Sequence, residues 1–250
     1  MQTNFKSYDF NKSLERLDEI LSSTSTFDEK NSIPKRSDLT YTNGFYVKCS
    51  ALFVDLRGSS KIPKVLQKKV LAKIYRSYIN EIVAILNGFS ICKEINIVGD
   101  CVCAIFESTS KTHIDVVLQA AAQVNSLISI LNYKLGKKGY KTIKAGIGLS
   151  SEHVLMFKAG YSTINDVVWM GDAVNQASKM CSKANKNEIK QIVITPLFYQ
   201  DLCEDSQKYF TKSKFFEEEY YHCDVADMDM NNWLKEQRIR DAQIQQKSLW

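Results

Sequence analysis

The stretch that most constrains this chain is Ala51-Leu52-Phe53-Val54-Asp55-Leu56-Arg57-Gly58-Ser59-Ser60. Its apolar run reads as a buried strand. The run ends in a carboxylate, and Gly58 then lets the chain turn into a long helical pattern. From about Lys64 to Leu86, the apolar residues Val65, Leu66, Val70, Leu71, Ile74, Tyr78, Ile82 and Ile85 return on one helix face until Asn87-Gly88 stops it. A strand-end carboxylate followed by a Gly-Ser-Ser turn and a helix start suits a metal-bound phosphate. The carboxylate holds the cation, and the N–H groups of Gly58, Ser59 and Ser60 face phosphate oxygens. Ser59 and Ser60 also suit the N-cap of the helix that follows, and both uses are compatible.

The elements downstream set the fold class. Two short strand patterns, Ser90 to Val98 and Cys101 to Phe106, flank Gly99-Asp100, a pair suited to a tight hairpin turn. A second helix spans roughly Ile114 to Leu135, and a strand Thr142 to Leu149. An irregular stretch, a short strand Val167 to Met170, a helix from Asp172 to about Ala184 and a strand Ile189 to Ile194 complete the pattern. The order β-α-β-β-α-β is the split βαβ arrangement of ferredoxin-like α+β folds, with a mixed or antiparallel sheet and helices packed on one face. Residues 1–45 read as a helical extension, with Leu14, Leu17, Ile20 and Leu21 at helical spacing before a Ser/Thr-rich linker. Residues 46–200 read as the core domain, and 201–250 as a C-terminal extension completing the sheet or a dimer.

In the split order the Gly99-Asp100 turn comes to lie beside the end of the first strand. Asp55 and Asp100 then form one site. Paired carboxylates near a phosphate point to two divalent cations clamping the attacking and departing oxygens, and all-oxygen ligands suit Mg²⁺ or Mn²⁺. Composition excludes other chemistries. The seven cysteines form no C-x-x-C pair and read as free thiols of a reducing compartment, and three histidines far apart in sequence argue against a His-based metal site. A net charge of +5 spread over many lysines fits an anionic small molecule as well as nucleic acid and decides little, while Lys64 with Lys68-Lys69 reads as a solvated helix edge. The N-terminus carries no apolar signal region and no apolar run approaches membrane-spanning length, so the expected address is the cytoplasm.

Phe53 to Ser60, the Val98-Gly99-Asp100 turn and Gly171-Asp172-Ala173-Val174-Asn175-x-Ala177-Ser178 together resemble, in order and spacing, the class III nucleotide cyclases over about Val47 to Ile194. The resemblance implies a head-to-tail homodimer with active sites at the interface. It makes Asp55, Asp100 and the Leu56 carbonyl the ligands of two metals, and Asn175 the residue that orients the ribose. The cation expected one helical turn beyond Asn175 is Lys179, where the family has Arg; Lys keeps the charge and loses the bidentate fork. Arg57 is a second candidate cation, with a plain surface charge as the other reading.

The Lys and Asp or Thr that read adenine in many cyclases fall at Asn96 and Val168, and the Glu/Cys pairing for guanine is absent as well. Pro34-x-Arg36 and Leu39-Thr40-Tyr41-x-Asn43-Gly44-Phe45-Tyr46, ahead of the motif strand, look like the pyrimidine cyclases of bacterial anti-phage (Pycsar) systems. Those enzymes make cyclic CMP or cyclic UMP, which activates a separate cell-killing effector. Asn96 offers a donor and an acceptor to a pyrimidine edge. Phe53, on the strand face of Asp55, is either a base platform or a core aromatic. The expectation is a cyclase acting on CTP or UTP. The alternatives are an adenylate or guanylate cyclase and an inactive cyclase-like nucleotide-binding module. A polymerase palm shares the split order and leaves the Asn175 helix without a role.

Overall fold

The computed structural model describes residues 2–59 and 67–247. Ser60 and the expected helix start at Lys64, Val65 and Leu66 lie outside the described residues. The N-terminal helix α1 (Phe10–Ser22) is followed by strand β1 (Thr26–Lys30), a 3₁₀ turn (Arg36–Asp38) and strand β2 (Asn43–Leu56). Helix α2 (Lys68–Asn87), the hairpin β3 (Cys92–Val98) and β4 (Cys101–Glu107), and helix α3 (Lys111–Lys137) come next. The long strand β5 (Ala145–Tyr161), β6 (Ile164–Gly171), helix α4 (Asp172–Lys183) and β7 (Ile192–Ile194) complete the split βαβ region. Two short helices, α5 (Pro196–Asp201) and α6 (Glu204–Gln207), precede β8 (Thr211–Phe215), β9 (Glu218–Cys223) and α7 (Met228–Lys247).

The described strands form one mixed sheet ordered β3-β4-β2-β5-β7-β9-β8, with β1 parallel to β2 and β6 paired with β5. Strand β2 is central and apolar on both faces. Leu52, Val54 and Leu56 pack with Ile74, Tyr78 and Ile82 of α2 and Val117, Ala121 and Val124 of α3. Val47, Cys49 and Ala51 point the other way and pack with Ala173 and Ala177 of α4. Helices therefore cover both faces rather than one, because a strand apolar on both parities exposes a row of side chains unless each face is covered.

Strand β5 departs most from expectation. Its second half was expected to be irregular, since Ser151-Glu152-His153 breaks the apolar pattern. In the structure β5 continues to Tyr161, because β2 pairs with it antiparallel from Gly44 to Leu56 and β6 folds back on it from Ile164. Such long-range hydrogen bonding leaves no local sequence signal. The same holds for β1, whose residues are all exposed. Helix α3 also corrects the reading that no apolar run reaches membrane-spanning length. It is long and apolar enough to cross a membrane, yet 61% of its apolar window is buried inside the fold, against the sheet.

Candidate active site

Asp55 ends β2 and Asp100 sits in the β3–β4 turn. Val54 lies opposite Val102 on β4, and Val98 opposite Cys101 across the hairpin, so the turn stands beside the end of β2. The two carboxyls interact. Desolvation holds the Asp55 carboxyl above its ordinary range, reinforced by the negative charge of Asp100 and by hydrogen bonding between the two groups, while Arg57 and Lys186 oppose the shift. The buried Asp100 Oδ2 has no hydrogen-bond partner among the described residues. A buried anionic oxygen without a donor, beside a second carboxyl, is a donor set suited to a hard divalent cation. The residues present thus fit the two metals the resemblance implies. Among the described residues no group of three or more His, Cys, Asp or Glu stands ready to hold a metal ion. The resemblance implies the Leu56 carbonyl as a further ligand.

Arg57 is built into the fold rather than left on the surface. Its Nη1 donates to Asp55 Oδ2 at 3.1 Å, its Nε to the Ala184 carbonyl at 2.8 Å, and its Nη2 to the Cys181 carbonyl. The last two acceptors close the C-terminal end of α4, where free carbonyls attract cations. Two glycines on β5 make this packing possible. A Cβ at Gly146 would stand 1.8 Å from Arg57 Nη2, and one at Gly148 would stand 2.1 Å from the Cys181 backbone nitrogen. Helix α4 therefore rests directly on the backbone of β5, and the guanidinium threads between helix and sheet to reach Asp55.

The turn after β2 carries an exposed Gly58 and a partly exposed Ser59. Two phenols from α2 lie near the carboxyls, and sequence reading treated Tyr78 only as core and did not single out Tyr75. Burial, then the charges of Asp100 and Asp55, raises the Tyr75 pKa, so it stays a neutral donor. Tyr78 is fully buried, and its hydroxyl has no hydrogen-bond partner among the described residues. No spacing rule joins these two residues to Asp55, because only the packing of α2 on the sheet does so.

On the same face of β2 as Asp55, one row of side chains crosses the sheet. Asn96 lies opposite Cys103, Cys103 opposite Phe53, and Phe53 opposite Gly148. Asn96 and Phe53 thus lie in one row on the same face with Cys103 between them, and both are partly exposed. Phe53 also packs against the core under α4. Val168 lies on a different strand, β6, opposite Phe157.

Asn175 and Lys179 are not gathered at the carboxyls. On α4, Ala173, Ala177, Met180 and Cys181 are buried, whereas Asn175 and Lys179 are exposed one turn apart. Neither side chain bonds to a described residue.

The adenylate and guanylate cyclase catalytic domain family matches residues 43–218. The chain belongs to that family. It is 40% identical over 95% of its length to the whole of a uridylate cyclase of Gulbenkiania mobilis. It is 36% identical over 91% of its length to a uridylate cyclase of Treponema porcinum, covering 81% of that protein. The fold is that of the adenylyl cyclase CyaB from P. aeruginosa, with a TM-score of 0.62 at 19% identity over 74% of this chain and 96% of that one. The chain is accordingly a nucleotide cyclase of the class III type with an α+β fold.

Proposed function

We propose that this cyclase is a uridylate cyclase, converting UTP to 3′,5′-cyclic UMP and pyrophosphate. The observation that carries the reading is the Asp55–Asp100 pair with its unpartnered buried oxygen, set beside the Asn96–Phe53 row where a purine-reading Lys/Asp pair is missing. The choice of UTP over CTP rests on the two similar proteins named for uridylate.

When bound at Asp55, Asp100 and the Leu56 carbonyl, divalent cations, Mg²⁺ or Mn²⁺, supply positive charge that gathers the triphosphate and favours ionisation of the ribose 3′-hydroxyl. The chain's own residues do the rest. Arg57 holds the Asp55 carboxyl in place. The turn at Gly58 and Ser59 offers N–H groups to phosphate oxygens. Asn175 orients the ribose, and Lys179 lies against the charge that develops as the 3′-oxygen bonds to the α-phosphorus and the bond to the β-phosphate bridging oxygen breaks. The 3′ proton passes to solvent and pyrophosphate leaves. Arg57 is assigned to Asp55 rather than to the phosphates, because its guanidinium is already bonded to Asp55 and the end of α4.

Asn175 and Lys179 serve a second copy of the chain in this reading. Support comes from their outward placement and from the exposed apolar residues Ile97, Val98 and Met170 near the site. These suit burial in a head-to-tail homodimer. The cyclic product then acts as a cytoplasmic signal to a separate effector in anti-phage defence, with no direct role for nucleic acid or membrane.

Incubating the protein with each of the four ribonucleoside triphosphates and Mn²⁺, and resolving products by chromatography, tests the reading. Cyclic UMP as main product is expected. Exclusive cyclic AMP or cyclic GMP would sink it. Nucleotide binding without any cyclic product would favour an inactive cyclase-like module, for which the Lys at position 179 is the supporting feature.

A further inference from the structure

Arg36 stands in the 3₁₀ turn ahead of the family-matched segment. Its Nε donates to Glu94 Oε2 at 3.0 Å, and its Nη2 donates to Glu94 Oε1 at 2.5 Å and to Asp166 Oδ1 at 2.9 Å. One planar fork thus spans two carboxylates on different strands. Those strands are not hydrogen-bonded neighbours, since β3 is paired with β4 at one end of the sheet order and β6 is paired with β5. Glu94 keeps only 10% of its side-chain surface exposed. Asp166 Oδ1 is further fixed by the Val167 backbone N–H at 2.8 Å.

The turn that carries Arg36 is itself rigid. Asp38 accepts from the Lys35 backbone N–H at 3.2 Å, and its carbonyl accepts from the Asn43 side chain at 2.9 Å. Leu39 is buried in the core under α4, and Ile33 packs against the same cluster. Arg36 is therefore presented from an anchored loop, not from a free tail.

Residues two apart on a strand share a face. Glu94 shares its face of β3 with Asn96, and Asp166 its face of β6 with Val168. The guanidinium therefore ties the two strand segments one residue pair away from the two base-reading positions. Without it, two like-charged carboxylates would face each other, one of them nearly buried, and the segments would separate.

We propose that Arg36 is a positioning residue for base selection. By bridging Glu94 and Asp166 it sets the spacing of the segments that carry Asn96 and Val168, and it keeps the site narrow enough for a single-ring base. This deepens the uridylate reading and rests on it. Lys would substitute only in part, because it keeps the charge but cannot hold two carboxylates in one plane.

The test is steady-state kinetics of Arg36→Ala, Arg36→Lys and Glu94→Gln with UTP, CTP, ATP and GTP, together with thermal melting. For Arg36→Ala, KM for UTP rises about tenfold with kcat nearly unchanged, and the preference for UTP over the purine nucleotides in kcat/KM falls about tenfold, the scale of a pocket difference of one to two kcal/mol. Arg36→Lys and Glu94→Gln fall in between. Unchanged nucleotide ratios in Arg36→Ala, or an equal loss for all four nucleotides accompanied by a lower melting temperature, would overturn the proposal. If Arg36→Ala does not fold, the ratios of Arg36→Lys decide by the same criteria. A purine product from the wild-type protein overturns both this proposal and the uridylate reading, whereas wild-type cyclic UMP with unchanged variant ratios overturns this proposal alone.

Discussion

The two halves of the proposed catalytic machinery are built in opposite ways. At the end of β2, Arg57 is bonded to Asp55 and to the end of α4, and Asp55 and Asp100 lie partly buried beside each other, so the group is held by the sheet, the β3–β4 turn and α4 at once. On the outer face of the same α4, Asn175 and Lys179 are exposed and unbonded to any described residue. The first half is preorganised inside one chain. The second half is rigid in backbone but directed away from its own carboxyls. One helix does both jobs, because its inner residues lock Arg57 and its outer residues are free for another molecule.

The largest effect tests the inner half. Asp55→Ala should lower cyclase activity about a thousandfold or more in a Mn²⁺-supported product assay, as expected for losing several kcal/mol of charge stabilisation. Lys179→Ala should cost about a hundredfold, and Lys179→Arg should retain most activity, since the helix position demands charge more than shape. Mixing Asp55→Ala with Asn175→Ala protein breaks or sharpens the comparison directly. If the halves come from different chains, the mixture recovers about a quarter of wild-type activity, because half of the dimers carry one intact site of two. No recovery after subunit exchange would show that both halves act within one chain.

Two smaller effects concern stability. Gly148→Ala should lower the melting temperature by roughly 4–8 °C, since a methyl group there meets the α4 backbone and overpacking costs about 2 kcal/mol. Calorimetry or a dye-based melt would measure it. The last effect follows from the raised Asp55 pKa. The folded chain holds that proton more tightly than the unfolded chain, so the contribution of Asp55 to stability is fully present only below the ordinary carboxylate range. It is lost as pH rises through that range to the raised value. Asp100→Asn removes one cause of the shift and keeps Arg57 paired with Asp55. In the absence of divalent cations it should raise the melting temperature at neutral pH by about 1–4 °C, with the gain vanishing in acid. Added Mn²⁺ should stabilise the wild-type protein and leave Asp100→Asn nearly unmoved.

Much of this was legible before any coordinates. The motif strand, the Gly99-Asp100 turn and the Asn175 helix each carry a local signal, and their order specifies the split βαβ arrangement. The helix stop at Asn87-Gly88 and the hairpin turn fall where the turn chemistry placed them. The second half of β5, the polar strand β1, and the α4 cover on the second face of the sheet did not announce themselves. Their stability comes from partners far away in sequence: β2 for both strands, and the apolar second face of β2 for α4.

The comparison of the two halves divides the same way. Residue type and order alone pointed to two carboxylates sharing one site, because ligand type and turn chemistry are local properties; that the helix-borne Asn175 and Lys179 join them is what the motif's resemblance to class III cyclases implies. Only the tertiary structure decided where each group is spent. It turned Arg57 inward onto Asp55 and the end of α4, left Asn175 and Lys179 facing outward, and brought Arg36 between Glu94 and Asp166. Whether a charged side chain is free or committed depends on which backbone passes within hydrogen-bonding distance, and that is set by packing between elements that no stretch of sequence contains.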